Sequence, residues 1–280
     1  MRVAVTGAGG FVGRYVLADL ARRSMDVVAT TRDLTKLAEW QDIIRIVDLN
    51  LARPKENDYD KLGRPDVLIH LAWDGLPNYR SLHHFETELP HQYRFLKGLI
   101  EAGLPALLVT GTCFEYGMRS GPLAEDMSTN PSNPYGYAKD ALRRQLEFLR
   151  LTRPFALTWT RLFYMFGDGQ ASNSLYSQLK SAIARGDQSF NMSGGEQQRD
   201  YLPISEMARL IVDLALLRAN AGPVNLCSGT PISVRELVER WLVDNSWNIK
   251  LNFGYYPYPD YEPMAFWGTR TYLGSLLKQL

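Results

Sequence analysis

Tyr135 and Lys139 stand four residues apart in Tyr135-Gly136-Tyr137-Ala138-Lys139, directly after the turn-forming pair Asn133-Pro134. That spacing predicts one face of a helix running to about Leu149, with phenol and ammonium aimed into the same space. A phenol whose ordinary pKa is ~10 is a poor acid or base at neutral pH. A neighbouring cation favours the phenolate and lowers that value, so the pair can exchange a proton with a substrate oxygen. A second chemical feature opens the chain: Gly7-Ala8-Gly9-Gly10-Phe11-Val12-Gly13 follows the apolar run Val3-Ala4-Val5-Thr6 and precedes apolar residues at helical spacing. Gly7, Gly10 and Gly13 permit a sharp turn, backbone contact with a ligand, and close packing of helix on strand. Exposed N–H groups at the helix start suit a pyrophosphate, so the segment predicts a bound dinucleotide.

Positioning these groups takes a layered α/β fold. Short apolar runs at 3–6, 26–30, 43–47, 67–71, 104–110 and 155–160, and a late one at 223–227, alternate with helical stretches. This order predicts right-handed βαβ units and a doubly wound parallel sheet of Rossmann type, covered on both faces. The stretch 167–201 is richer in Gly, Asn, Ser and Gln, which predicts substrate-facing loops and a smaller C-terminal lobe. The expected division is therefore a dinucleotide-binding domain over 1–165 and a substrate lobe over 166–280, partly interleaved, with 204–227 returning to the first domain. Residues 255–267 carry Pro257, Pro259 and Pro263 among aromatics and are expected to be extended but ordered.

Composition narrows the function. The chain has 280 residues, 31 Lys plus Arg against 30 Asp plus Glu, and a formal charge of +1. That balance argues against nucleic-acid binding through a basic surface. No apolar run reaches the length of a membrane span, and Val3 follows Met1-Arg2 with no signal peptide expected between. Cys113 and Cys227, only two, suit a reducing, cytoplasmic setting rather than a disulfide framework. His83, His84 and His91 beside Glu86 and Glu88 match no standard metal-ligand spacing, so no metal is expected.

The spacing Gly7-x-x-Gly10-x-x-Gly13 after Thr6, with Tyr135 and Lys139 downstream, resembles the short-chain dehydrogenase/reductase superfamily in its extended branch acting on nucleotide sugars. The resemblance implies dinucleotide contacts at Gly7, Gly10, Phe11, Val12 and Gly13, at Asp48-Leu49 after the third strand, and at Leu71 and Ala72 in His70-Leu71-Ala72-Trp73 after the fourth. It implies a ribose and catalytic role for Lys139, and for Tyr135 an acid–base role together with a contact to the cofactor. In Thr110-Gly111-Thr112-Cys113-Phe114-Glu115-Tyr116-Gly117, the family's hydroxyl stands four residues before the Tyr-Gly pair, which selects Thr112 to orient the substrate carbonyl. Thr110 is the alternative and a further cofactor contact. At the end of strand two the family register falls on Thr31 and Arg32, a small polar residue and a guanidinium that suit a 2′-phosphate. NADP(H) is therefore favoured, with NAD(H) the alternative; Asp33 complicates the register.

Within that branch, dehydratases carry an Asp-Glu pair where this chain has Cys113-Phe114, which excludes their mechanism. A ketoreductase and a 4-epimerase remain. The run 110–117, Asn173-Ser174-Leu175-Tyr176-Ser177-Gln178-Leu179 and Glu262-Pro263-Met264-Ala265-Phe266-Trp267 are similar to reductases of 4-keto-6-deoxyhexose nucleotides. Tyr164 stands where 4-epimerases commonly place Asn. The expected reaction is NAD(P)H-dependent reduction of the 4-keto group of a nucleotide-diphosphate sugar, or its reverse; a non-catalytic dinucleotide sensor is the remote alternative. Arg199, in an Arg-Asp-Tyr run, is implied to bind the substrate diphosphate, with Asn173 a further substrate contact. Cys113 is expected to be a small buried thiol. Relatives suggest a homodimer, for which Leu96, Leu99 and Ile100 could serve, although core packing against the sheet would use the same residues.

Overall fold

The computed structural model describes residues 1–279. In its first half, β1 (Arg2–Thr6), α1 (Phe11–Arg22), β2 (Asp26–Thr31), β3 (Arg45–Asp48), α2 (Asp58–Lys61), β4 (Val67–His70), α3 (Leu89–Glu101) and β5 (Ala106–Thr112) alternate as the apolar pattern requires. The second half continues with β6 (Gly121–Leu123), α4 (Pro134–Thr152), β7 (Ala156–Leu162), β8 (Tyr164–Phe166), α5 (Leu175–Arg185), β9 (Ser189–Asn191), β10 (Gln198–Arg199), β11 (Tyr201–Pro203), α6 (Ile204–Leu217) and β12 (Gly222–Leu226). It closes with β13 (Ile232–Ser233), α7 (Val234–Asp244), β14 (Lys250–Asn252), β15 (Phe266–Gly268) and α8 (Thr271–Leu277).

Seven strands form one sheet in the order β12-β7-β5-β4-β1-β2-β3, every pair parallel. This is a Rossmann-type sheet. Its central strands read as continuous apolar runs because both faces are covered. On β1, Val3 and Val5 face a core shared with α1 and α6, while Ala4 faces the opposite core under α3 and α4. The same alternation places Ala106 and Leu108 of β5 on one side and Leu107 and Val109 on the other. The chain leaves β1 for β2 on one side and returns to β4 on the other, so a crevice opens at the carboxyl ends Thr6 and His70, where such sheets bind ligands.

A separate apolar cluster, built on Leu179, Phe190, Val238 and Trp241, holds the smaller lobe formed by α5, β9, α7 and β14. The chain does not stay there. Between these elements α6 and β12 go back to the main sheet, β12 pairing with β7. After residues 255–264, which have no regular structure, β15 pairs with β6 and α8 buries Leu273 and Leu276 in the main core. The β6–β15 pairing and α8 have no advance signal in the proline-rich tail. Leu96, Leu99 and Ile100 face the sheet rather than the surface, the core-packing alternative: helix α3 spends its apolar stripe on the core.

Candidate active site

The glycine turn after β1 is fixed by close approach. Gly7 has φ +70°, and a Cβ there would lie 2.7 Å from the Ala72 nitrogen; at Gly13 it would lie 2.3 Å from the Gly7 carbonyl oxygen. Only glycine lets the turn nest against β4's exit and lets α1 pack on the turn. Gly10 caps α1 without a side-chain hydrogen bond, and the first turn holds no acid. The helix N-terminus is thus open to an anion, and these residues fit the pyrophosphate of a dinucleotide.

Beside the turn lies a cavity of about 410 Å³ lined by Gly7, Gly9, Gly10, Arg32, Lys36, Leu49, Leu71, Ala72 and Trp73, among others. Phe11 and Val12 are half-buried against the main core below it. Asp48 does not enter: it ends β3 opposite Thr31, exposed to solvent, and Leu49 and Asn50 line the cleft instead. Asp33 is turned into a helix cap: its carboxylate accepts from the Thr35 N–H and hydroxyl, bonds that hold it below the usual carboxylate range. Arg32 extends along the rim, 3.9 Å from Asp74 and largely exposed. Lys36 packs its stem against Gly9. Lys36 escaped sequence reasoning; only the short helix Leu34–Trp40 brings it there.

Tyr135 is the second residue of α4, whose start is set by Pro134 and by Asn133, whose side chain accepts from the Gly136 N–H at 2.8 Å. Gly136 allows that helix start to meet Phe114: a Cβ would lie 2.7 Å from the Phe114 carbonyl oxygen. Thr112 ends β5 and caps the turn Cys113–Tyr116, reciprocally with Glu115. The Thr112 hydroxyl accepts from the Phe114 N–H at 3.3 Å and stands close enough to the Tyr135 phenol to oppose the rise in the phenol's pKa. Thr110 is different. Its hydroxyl donates to the His70 carbonyl at 3.3 Å, and its own carbonyl accepts from Lys139 Nζ at 2.8 Å. The structure therefore separates the two threonines: the Thr110 hydroxyl is committed to the backbone of the neighbouring strand.

Lys139 is 2% exposed, has no carboxylate partner, and is pushed down to about 7 by burial, against the pull of Glu115 and Glu88. The phenol of Tyr135 is driven well up by burial, then by Tyr79, Glu115 and Cys113. The expectation of a phenol drawn down by its ammonium neighbour is thus overturned for the chain alone, since desolvation outweighs a cation that lies 5.9 Å from the ring centre. As folded, Tyr135 is a protonated group placed to donate. Trp73, Tyr79, His84 and Phe114 enclose its ring at 5.2–6.5 Å between centroids.

On the far side of Tyr135 lies a second cavity of about 570 Å³, lined by Tyr79, Arg80, Tyr164, Asn173, Tyr176, Trp241 and Glu262, among others. Tyr135 itself lines neither cavity: Trp73 lines one and Tyr79 the other, and both rings pack against its own. Asn173 lines the second cavity. Arg199 does not present a free fork there. Its Nε and Nη2 donate to Glu262 at 3.0 and 2.8 Å and its Nη1 to two backbone carbonyls, with the guanidinium stacked 4.6 Å from the Phe266 ring centre. Arg199 is thus held in a buried ion pair that an anion would have to displace.

Cys113 packs with Tyr116, Phe163 and Phe266, and burial pushes its thiol up, so it is no ready nucleophile. Among the described residues Asp74, His83 and Glu88 bring ligand-type atoms within 4.8 Å of one another. However, Glu88 accepts from the Asp74 N–H and the Gln92 amide, and Asp74 from the Gly75 N–H. These groups fold the loop over Tyr135. Beneath the site, Glu115 accepts from Trp159 Nε1 at 2.9 Å and from Arg161 Nε at 2.8 Å, with the carboxylate fully buried. This support joins residues 46 apart in sequence and was missed, for no local pattern marks it.

Comparison with known proteins supplies the context for this geometry. Residues 3–227 match the model of the NAD dependent epimerase/dehydratase family. The chain is 30% identical to dTDP-6-deoxy-L-talose 4-dehydrogenase (NAD(+)) of Aggregatibacter actinomycetemcomitans, over 96% of this chain and 100% of that one. It is 22% identical to dTDP-4-dehydro-6-deoxyglucose reductase of Escherichia coli, over 85% and 79%. Among solved structures it superposes on MoeE5 in complex with UDP-glucuronic acid and NAD with TM-score 0.82 and 25% identity, covering 99% of this chain and 93% of that one.

Proposed function

The chain belongs to the NAD dependent epimerase/dehydratase family, and from that premise we propose that it is an NAD(P)-dependent oxidoreductase acting at C4 of a nucleotide-linked 6-deoxyhexose, reducing the 4-keto sugar or running the reverse oxidation. The observation that carries this reading is the Thr112 hydroxyl beside the Tyr135 phenol, whose ring packs against Trp73 of the glycine-turn cleft and Tyr79 of a larger polar and aromatic cavity. Similarity to a 4-dehydrogenase and a 4-keto sugar reductase supports the choice of substrate.

The glycine turn, with Leu49, Leu71, Ala72 and Lys139, would hold the dinucleotide, which supplies or takes the hydride when bound. Thr112 orients the C4 oxygen by donating a hydrogen bond. Tyr135, protonated as folded, gives that oxygen its proton in the reductive direction. Lys139, when charged, binds ribose hydroxyls and stabilises the phenolate left behind. Arg32 and Lys36 put two cations at the rim while Asp33 is occupied as a cap, which favours NADP(H) over NAD(H) through a 2′-phosphate. Asn173 contacts the sugar nucleotide, and Arg199 takes its diphosphate when Glu262 releases it. Exposed Phe148 and Leu151 on α4 support a homodimer, and two free cysteines support a cytoplasmic setting; no described helix is long and apolar enough to cross a membrane.

The test is NADPH oxidation with dTDP-, CDP-, GDP- and UDP-linked 4-keto-6-deoxyhexoses. Turnover with at least one is expected, with Tyr135→Phe lowering kcat by about 100-fold or more at unchanged dinucleotide affinity. Conversion of a sugar nucleotide to its 4-epimer with no net NADPH use, or a fully active Tyr135→Phe, overturns the reading.

A further inference from the structure

The ammonium of Lys139 lies 4.0 Å from the centre of the Trp73 ring, over its face. The indole itself is held. Its Nε1–H donates to His84 Nδ1 at 3.1 Å, and His84 Nε2 lies 2.9 Å from the Asn78 carbonyl oxygen. An indole can only donate, so Nδ1 is the acceptor and Nε2 carries the proton toward the carbonyl. His84 is fully buried, and burial lowers its pKa, which keeps this neutral tautomer. Trp73 also meets Tyr135 edge-on at 6.1 Å, and the His84 ring lies 5.2 Å from Tyr135's. One side chain thus touches both members of the Tyr–Lys pair and lines the dinucleotide cleft.

We infer that Trp73, locked by His84, is a positioning residue that holds Lys139 in place and keeps it charged through the face of its ring. The inference rests on the functional reading above only for the role of Lys139 toward the dinucleotide. A cation taken out of water needs a partner. The groups facing Lys139 are His70 on β4, His84 and Glu88 in the turn before α3, Glu115 after β5, and Tyr135 on its own helix. Both carboxylates act only at a distance, Glu88 being spent on Asp74 and Gln92 and Glu115 on Thr112, Trp159 and Arg161. The ring face and the Thr110 carbonyl are the direct contacts. An aromatic face favours the charged form without itself titrating, and most strongly where water is excluded.

The experiment measures NADPH and NADH affinity by nucleotide fluorescence from pH 6 to 10, with no sugar present. Affinity should fall as pH rises through the Lys139 midpoint. Trp73→Leu should move that fall to lower pH by about one unit, and Trp73→Phe should restore most of it. Where the leucine variant does not fold, mono- and difluorinated tryptophan placed at position 73 alone weakens the ring face without changing its shape, and the midpoint should drop stepwise with fluorination. A wild-type profile flat across this range, a midpoint unmoved by fluorination, or leucine and phenylalanine variants that behave alike overturns the inference. Failure to turn over any keto sugar leaves this profile untouched, so the two failures are distinguishable.

Discussion

Lys139 is kept uncomfortable for a purpose. A base whose folded pKa lies near 7 against an ordinary 10.5 binds its proton more weakly in the native state than in the unfolded one. Stability from this group is therefore withheld at neutral pH and grows as pH rises from about 7 toward 10.5. Replacing it by an apolar isostere removes the burden, so Lys139→Met should stabilise the ligand-free protein by about 1–2 kcal/mol, read as a higher Tm, while abolishing turnover. His70 carries the same sign in another window. It is held at about 3 against 6.5, chiefly by burial and then by Lys139, and pairs Nδ1 with the Thr6 hydroxyl. The neutral form is the folded one, so its contribution is full above pH 6.5 and drains away as pH falls toward 3, at about 1.4 kcal/mol per unit. Urea titrations should show this slope, and His70→Asn should flatten it. At this scale the sequence told which residue types face each other along one helix, as with Tyr135 and Lys139. It could not tell that burial would overrule the cation at the phenol, because the aromatic enclosure comes from residues 73, 79, 84 and 114, on separate segments.

Elements show a sharper division between what patterns reveal and what only packing decides. The central sheet strands were legible because they are buried on both faces and so read as unbroken apolar runs, while glycine closes β1. Gly13→Ala should test that turn: its Cβ would meet the Gly7 and Ala8 carbonyl oxygens at 2.3 and 2.5 Å, which backbone cannot yield cheaply. Expected are a loss of about 1–3 kcal/mol in unfolding free energy and at least a tenfold weaker NADPH affinity by fluorescence titration. Contacts between distant segments were not legible. Glu115 secures the end of β5 to β7 through Trp159 and Arg161. Glu115→Ala leaves a buried guanidinium unpaired and should cost about 3–5 kcal/mol by denaturant unfolding.

Across the whole molecule, residues 255–264 connect parts that the sheet does not. Glu262 is paired with buried Arg199, and Asp260 with Arg80 on the rim of the larger cavity. Glu262→Gln weakens the hold on Arg199 and should lower KM for the sugar nucleotide by a few-fold in NADPH-linked assays, with dinucleotide affinity unchanged. The return of α6, β12 and α8 to the main sheet has a practical corollary for recombination with relatives of other sugar specificity. A single crossover near residue 165 would strip β7 of its neighbour β12 and leave an adhesive, unpaired border. Hybrids should survive only when two inserts, roughly 167–203 and 229–265, are exchanged together, so inheritance of a new substrate preference in this architecture travels as a pair of cassettes rather than as a tail.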